Sequence, residues 1–215
     1  MTKRSKKGYF KRYNFRRREN VRPPLKRVLV VCEGESTEPN YFRGLRNFLK
    51  GEIVLEIAGI GANTRFVVER AIEIRKCSEF EEVWVVFDKD IFSEDHFNAA
   101  VDIAKGKGLR VAYSVPCFEL WFLLHFKFID RSLDHNEVRQ MLNKEFRSIW
   151  GKDYKKTDVD LWNLLYGRID NAIKNAEKIN NMWNDTRYAK HNPSTLVVDL
   201  IKAVYLPYAA KLQNH

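Results

Sequence analysis

The stretch VWVVFDKDIF, residues 83–92, closes an apolar run with two carboxylates one residue apart, Asp88 and Asp90. Like charges held this close raise each other's pKa unless a cation lies between them. No helix cap needs both aspartates, so metal binding is a stronger reading of the pair than structural use. Other acids also stand where apolar runs stop. VLVVCEGESTE ends in Glu33, Glu35 and Glu38, and YSVPCFE brings Ser114 and then Glu119. Oxygen ligands from several loops suit Mg²⁺ or Mn²⁺ rather than zinc. Such an ion bridges substrate phosphates and lowers the pKa of an attacking water. Gly34, directly after Glu33, lets the backbone turn close beside the ion or its phosphate.

Each of these residues also has a plainer use. Glu35 and Glu38 stand near a helix start with Ser36 as N-cap, where carboxylates favour the macrodipole. Glu119 follows Pro116, an N1-type proline. Its helix, CFELWFLLHF, is apolar nearly all round, so a carboxylate there needs a partner. In GKDYKKTD, Lys156 near the ion would offset transition-state charge and Lys155 would hold nucleic acid. The alternative for both is an exposed basic loop ahead of an N-cap at Thr157 or Asp158. Asn192-Pro193-Ser194-Thr195 fits a loop plus helix cap, His125 fits a core histidine, and Trp84, Trp121 and Trp162 fit the core.

Elements able to position these acids follow from the alternation of short apolar runs with longer amphipathic ones. RVLVVCEG, EIVLEIAG, EVWVVFD and LRVAYSVP are four strands. Between them STEPNYFRGLRNFLK, TRFVVERAIEIRK and EDHFNAAVDIAKGKG are helices. Such alternation predicts an α/β fold with an open parallel sheet flanked by helices. In that architecture ligands bind beyond the carboxyl ends of the strands, where three of the four ends bring acids. From about residue 130 the pattern is helical throughout, a C-terminal cap. In it Leu161, Leu165, Ile169, Ala172, Ala176 and Ile179 step by three and four along one face.

The chain's net charge of +10 over 215 residues is concentrated at one end. Residues 1–27 hold twelve Lys and Arg against one Glu, leaving the other 188 residues near −1. Residues 1–24 are therefore expected to be a basic, disordered arm, and 25–215 a single domain with its cap. Tyr9, Phe10, Tyr13 and Phe15 interleave with cations such as Arg16, Arg17 and Arg18. An arm of this kind follows a phosphate backbone while its rings stack on bases, or only keeps the protein soluble. It has no apolar core of a secretory signal. Cys32, Cys77 and Cys117 lack zinc spacing and fit reduced thiols of a cytoplasmic protein. CFELWFLLHF is too short to span a bilayer.

Glu-Gly after strand one followed by DxD after strand three resembles the TOPRIM fold of topoisomerases, primases and overcoming-lysogenization-defect nucleases. That resemblance implies Mg²⁺-dependent phosphodiester chemistry at Glu33, Asp88 and Asp90. Such nucleases tend to carry a second glutamate four residues after the first. Here that position is Thr37, leaving Glu35 or Glu38 as the further ligand. Along most of the chain, VCEGESTEPNYF, VFDKDIF, YSVPCFELWFLLHF, YKKTD and NPSTLVVDLI look like the RloB-like family of bacterial restriction-modification loci. The likeness implies a TOPRIM-like sheet and a nuclease of phage defence by abortive infection, with a partner protein from its operon; self-association is left open. Glu33, Asp88, Asp90 and Lys156 would then be catalytic, with Glu38 and Glu119 completing one or two metal sites. The rival expectation is a non-catalytic module that binds nucleic acid or a partner and keeps its metal for structure. Receiver and haloacid-dehalogenase plans fit poorly, because the lysine-proline of the first and the Gly-Thr after DxD of the second are missing. GEST lacks the lysine of a P-loop.

Overall fold

The protein is described by a computed structural model covering residues 24–61, 64–89 and 93–212. Asp90 and the arm cations Arg16, Arg17 and Arg18 lie outside the described residues. Five strands form one sheet: β1 (Arg27–Cys32), β2 (Val54–Gly59), β3 (Glu82–Asp88), β4 (Arg110–Val115) and β5 (Ser194–Thr195). Their order is β2-β1-β3-β4-β5, parallel except for the β4–β5 pair. The chain thus has the expected α/β fold.

Alternate residues of the strands feed two cores, as the pleat requires. Val28, Val30, Trp84, Val86 and Ala112 face α1 (Thr37–Phe48) and the C-terminal helices. Leu29, Val31, Val85, Phe87 and Val111 face α2 (Thr64–Cys77) and α3 (Glu94–Gly106). The central strands β1 and β3 therefore carry continuous apolar runs, Val28–Cys32 and Val83–Phe87, because both faces are covered. The C-terminal helices are α4 (Glu119–Leu123), α5 (His135–Trp150), α6 (Leu161–Tyr166), α7 (Ile169–Asn180), α8 (Val197–Val204) and α9 (Leu206–Leu212). They share one core with α1 and the sheet. Trp84, Trp121 and Trp162 are buried within it, as is the whole stripe from Leu161 to Ile179.

Several local expectations give way. The stripe from Leu161 to Ile179 lies on two helices that part at Gly167, α6 and α7, and the N-cap position of the first is Asp160 rather than Thr157 or Asp158. Pro116 follows a cis bond and lies outside α4, which starts at Glu119 with no side-chain cap. Ser194 and Thr195 form an edge strand instead of a helix cap. Two residues carry no periodicity, so only the tertiary pairing with Ser114 and Val115 reveals them. His125 is fully buried but half satisfied. Its Nδ1 lies 2.9 Å from the Trp121 carbonyl, while Nε2 has no partner.

Candidate metal and phosphate site

The backbone ladder continues past the end of β1 and locks Glu33 in place. Its amide donates to the Val86 carbonyl at 2.9 Å, and its carbonyl accepts from the Gly61 amide at 2.8 Å. The carboxylate is held from two sides. Oε1 accepts from the Thr64 hydroxyl at 3.1 Å, at the first turn of α2. Oε2 accepts from the backbone amide of Asp88 at 3.3 Å. Glu33 is thereby turned toward the end of β3.

Asp88, the last residue of β3, continues the parity of Trp84 and Val86 and so faces α1 and the cap. Its Oδ2 accepts from the Phe118 amide at 3.2 Å. Burial drives its pKa well above the usual carboxylate range, and the negative charges of Glu38, Glu33 and Glu119 push the same way. Only the Phe118 amide, among the main influences, opposes them.

Glu38 arrives in this group through a close approach to Gly34. A Cβ at Gly34 would lie 2.3 Å from Glu38 Oε2, so the glycine makes room for the carboxylate. Burial raises the Glu38 pKa; repulsion from Glu119 adds to it, while its own amide, Lys156 and the Gly34 amide counter it. Glu35 goes elsewhere. It is exposed and lies over Gly61, whose φ of +63° belongs to the left-handed region and whose Cβ would sit 2.3 Å from Glu35 Oε1. Of the two candidate ligands, Glu38 is the one that faces Asp88.

Glu119 opens α4 and is only 6% exposed, so it needs the partners that its helix cannot supply. Both come from the loop between α5 and α6. The Tyr154 hydroxyl donates to Glu119 Oε1 at 3.2 Å, and Lys156 Nζ stands 3.4 Å from the same oxygen. That loop is tied to the start of α1, where the Thr37 hydroxyl donates to the Lys156 carbonyl at 3.4 Å and Asn40 Nδ2 to the Thr157 carbonyl at 3.5 Å. Lys156 is therefore a cation with a fixed root and a largely exposed side chain. Glu119 foremost, then Asp88, raise its pKa and keep it charged. Lys155 is exposed and lowers the Asp153 pKa through its charge.

Tyr154 and Thr64 are the site residues that the sequence did not single out by role. Tyr154 stood in view within YKKTD, although nothing in its spacing connects it to Glu119. A third feature, the buried hydroxyl pair Ser114–Thr195 at 2.8 Å, lies in the same row of the sheet as Asp88.

The donor set suits a hard divalent ion in kind: carboxylates from two strand ends and a helix start, mutually repelling and partly buried. Among the described residues no three His, Cys, Asp or Glu side chains stand close enough together to share one ion as placed. The chain is thus an α/β protein whose acids collect beyond the carboxyl ends of its central strands. It belongs to the RloB-like protein family, whose pattern it matches over residues 28–204. No curated protein and no solved structure matches it. Among the described residues no helix is long and apolar enough to cross a membrane.

Proposed function

We propose that the protein is a Mg²⁺- or Mn²⁺-dependent phosphodiesterase acting on nucleic acid, in phage defence, on a TOPRIM-like sheet. The observation that carries this reading is the gathering of acids at one rim, where Glu33 Oε2 lies on the Asp88 amide and Asp88 feels Glu38, Glu33 and Glu119 at once, with Lys156 as a counter-charge. Clustered, buried carboxylates with raised pKa values are characteristic of sites where a cation or a reaction makes use of them. Glu33, Asp88 and Asp90 would hold the ion, with Glu38 and Glu119 beside them. When bound, the ion would supply Lewis-acid stabilisation and a more acidic water.

The protein's own groups divide the remaining work. Thr64 and the Asp88 amide fix the Glu33 carboxylate. The Phe118 amide orients Asp88. Lys156, exposed but anchored through Glu119, is placed to offset charge on a phosphate that approaches the rim. Tyr154 keeps Glu119 in position for that pairing. Basic residues of the arm, Arg16, Arg17 and Arg18, and of the loop, Lys155, would contribute sequence-independent attraction to phosphates. A partner from the same defence operon would govern when the site is used.

Purified protein incubated with DNA and with RNA, with Mg²⁺ or Mn²⁺ and with EDTA, tests the reading. Metal-dependent cleavage abolished by Asp88→Asn supports it. One observation favours a second reading, a non-catalytic binding module: no described triad of acids closes on a single ion. Binding that is lost on deleting residues 1–22, without cleavage under any condition, would establish that module instead.

A further inference from the structure

A second concave surface lies at the opposite, amino-terminal end of the central strands. It is an open groove of about 620 Å³ between the end of α3, the start of β4 and α8. This falls within the range of small-molecule sites, about 300–1,000 Å³. Its floor is apolar, built by Leu109, Val111 and Leu196. Three cations from three separate elements line it: Lys105, Arg110 and Lys202. Asp199 is the single acid in the lining. Two acids just outside the lining, Glu82 and Glu177, stand beside Arg110 and Lys202.

The cations are held by groups that leave them available. The Arg110 guanidinium lies over the Trp84 ring at 5.2 Å, with the side chain 56% exposed. The guanidinium thus has an aromatic ring beside it and the Glu82 carboxylate 3.9 Å from its Nε, and its side chain stays open to solvent. A guanidinium plane is a recognised stacking surface for nucleobases. Lys105 rests over the Tyr188 ring at 4.2 Å and donates to its hydroxyl at 3.0 Å, which orders its ammonium. Lys202 is paired with Glu177 on α7 and is 43% exposed. Asp199 is exposed and acts on neighbouring charges only through space. Its carboxylate can accept from a ribose hydroxyl or a base amino group.

Taken together, an apolar floor, an exposed guanidinium beside an aromatic ring, two lysines from separate helices and one exposed carboxylate match the parts of a nucleotide. We propose that this groove binds a nucleotide, its base on Arg110 and the apolar floor and its phosphate between Lys105 and Lys202. The nucleotide is either a free molecule or one unit of a single strand, since both present the same chemistry. The site is separate from the acidic rim and asks for no metal, so it stands whether or not the protein cleaves anything.

Calorimetric titration of the full chain in EDTA, with adenosine monophosphate, a short oligothymidylate and inorganic phosphate in turn, tests the assignment. The double variant Lys105→Glu, Lys202→Glu should weaken nucleotide binding about tenfold or more, because both charge-assisted contacts are reversed. Arg110→Lys, which keeps the charge and removes the plane, should weaken it less. Lys144→Glu, on the exposed face of α5, serves as a charge control and should have no effect. A loss seen with the mononucleotide assigns a free ligand; a loss seen with the oligonucleotide alone assigns a strand. Affinities unchanged in the double variant, absence of binding by both nucleotide probes, or inorganic phosphate binding as tightly as the mononucleotide would each overturn the proposal. Far-ultraviolet circular dichroism of the variants excludes unfolding as the cause.

Discussion

Strands β3 and β4 carry opposite chemistry at their two ends. At the carboxyl end Asp88 pairs in register with Ser114, among acids that repel one another. At the amino end Trp84 pairs with Arg110, among cations. The two rows are four residues apart, about 13 Å along the strand. The difference lies in how the charge is compensated. At the basic end each cation has an aromatic or acidic neighbour and stays in contact with water. At the acidic end Glu33, Glu38 and Glu119 all act on the buried Asp88, and Lys156 pairs with Glu119. The groove costs the fold little when empty, whereas the rim is a standing destabilisation that some other function must justify.

The most direct way to break this contrast is Asp88→Asn. If the rim is catalytic, metal-dependent cleavage should fall by about a thousandfold, since a ligand and its charge are removed together. The same variant in EDTA should be at least as stable as the parent, because the buried, repelled charge is gone. A thermal melt that drops several degrees instead would mean that Asp88 is held for structure, and the contrast between the two ends would fail.

Acid titration gives the next largest effect and separates the rim from the core beneath it. Burial lowers the His125 pKa to about 4 from 6.5. Its contribution to stability is therefore complete above about pH 6.5 and is lost as pH falls toward 4, on the order of 3 kcal/mol in all. Asp88 and Glu38 act in the other direction. Their folded-state pKa values are raised, so their share of stability is present at low pH and is lost as pH rises through those values. Denaturant midpoints in EDTA should fall below pH 6 in the parent, and His125→Leu should flatten that fall. In the His125→Leu background, Asp88→Asn should remove part of the stability loss that accompanies rising pH.

Magnesium should reverse the sign at the rim alone. Millimolar Mg²⁺ should raise the melting temperature of the parent by a few degrees, equivalent to about 1–2 kcal/mol of linkage. It should do nothing for Asp88→Asn. An equal rise in both proteins would place the ion away from this rim.

How much of this arrangement could be read from the sequence depends on the range of the interactions involved. Asp88 and Glu33 were legible because strand ends are local events and an open α/β sheet sends them to one edge. The choice between Glu35 and Glu38 was not legible. It rests on Glu38 folding over Gly34 while Glu35 folds over Gly61, and both glutamates suit a first helical turn equally well. Tyr154 stands 35 positions from Glu119, and no periodicity connects a loop tyrosine with a helix-start carboxylate. The short β5 was hidden for a similar reason, since its two residues are defined by their partner strand. The basic groove was invisible because each of its lysines has an ordinary local explanation, with Lys105 and Lys202 both in the last turn of a helix.

Gly34→Ala provides the finest cut, because it disturbs one acid without touching its charge. The added methyl would meet the carboxylate of Glu38 at 2.3 Å, the far end of a flexible side chain, which would have to shift. The cost in stability should therefore be small, below about 1 kcal/mol, with the backbone at Gly34 needing no left-handed conformation. The effect on the rim should be larger than the effect on the fold. With Glu38 displaced, Asp88 loses its strongest repelling neighbour. Its pKa should move back toward the ordinary carboxylate range, and apparent Mg²⁺ affinity should fall by about tenfold through the missing ligand. Glu38→Gln should reproduce that loss of affinity while leaving the packing at Gly34 intact. If Gly34→Ala leaves metal affinity unchanged and Glu38→Gln does too, Glu38 belongs to the start of α1 and not to the rim, and the acidic end shrinks to Glu33, Asp88, Glu119 and their partners.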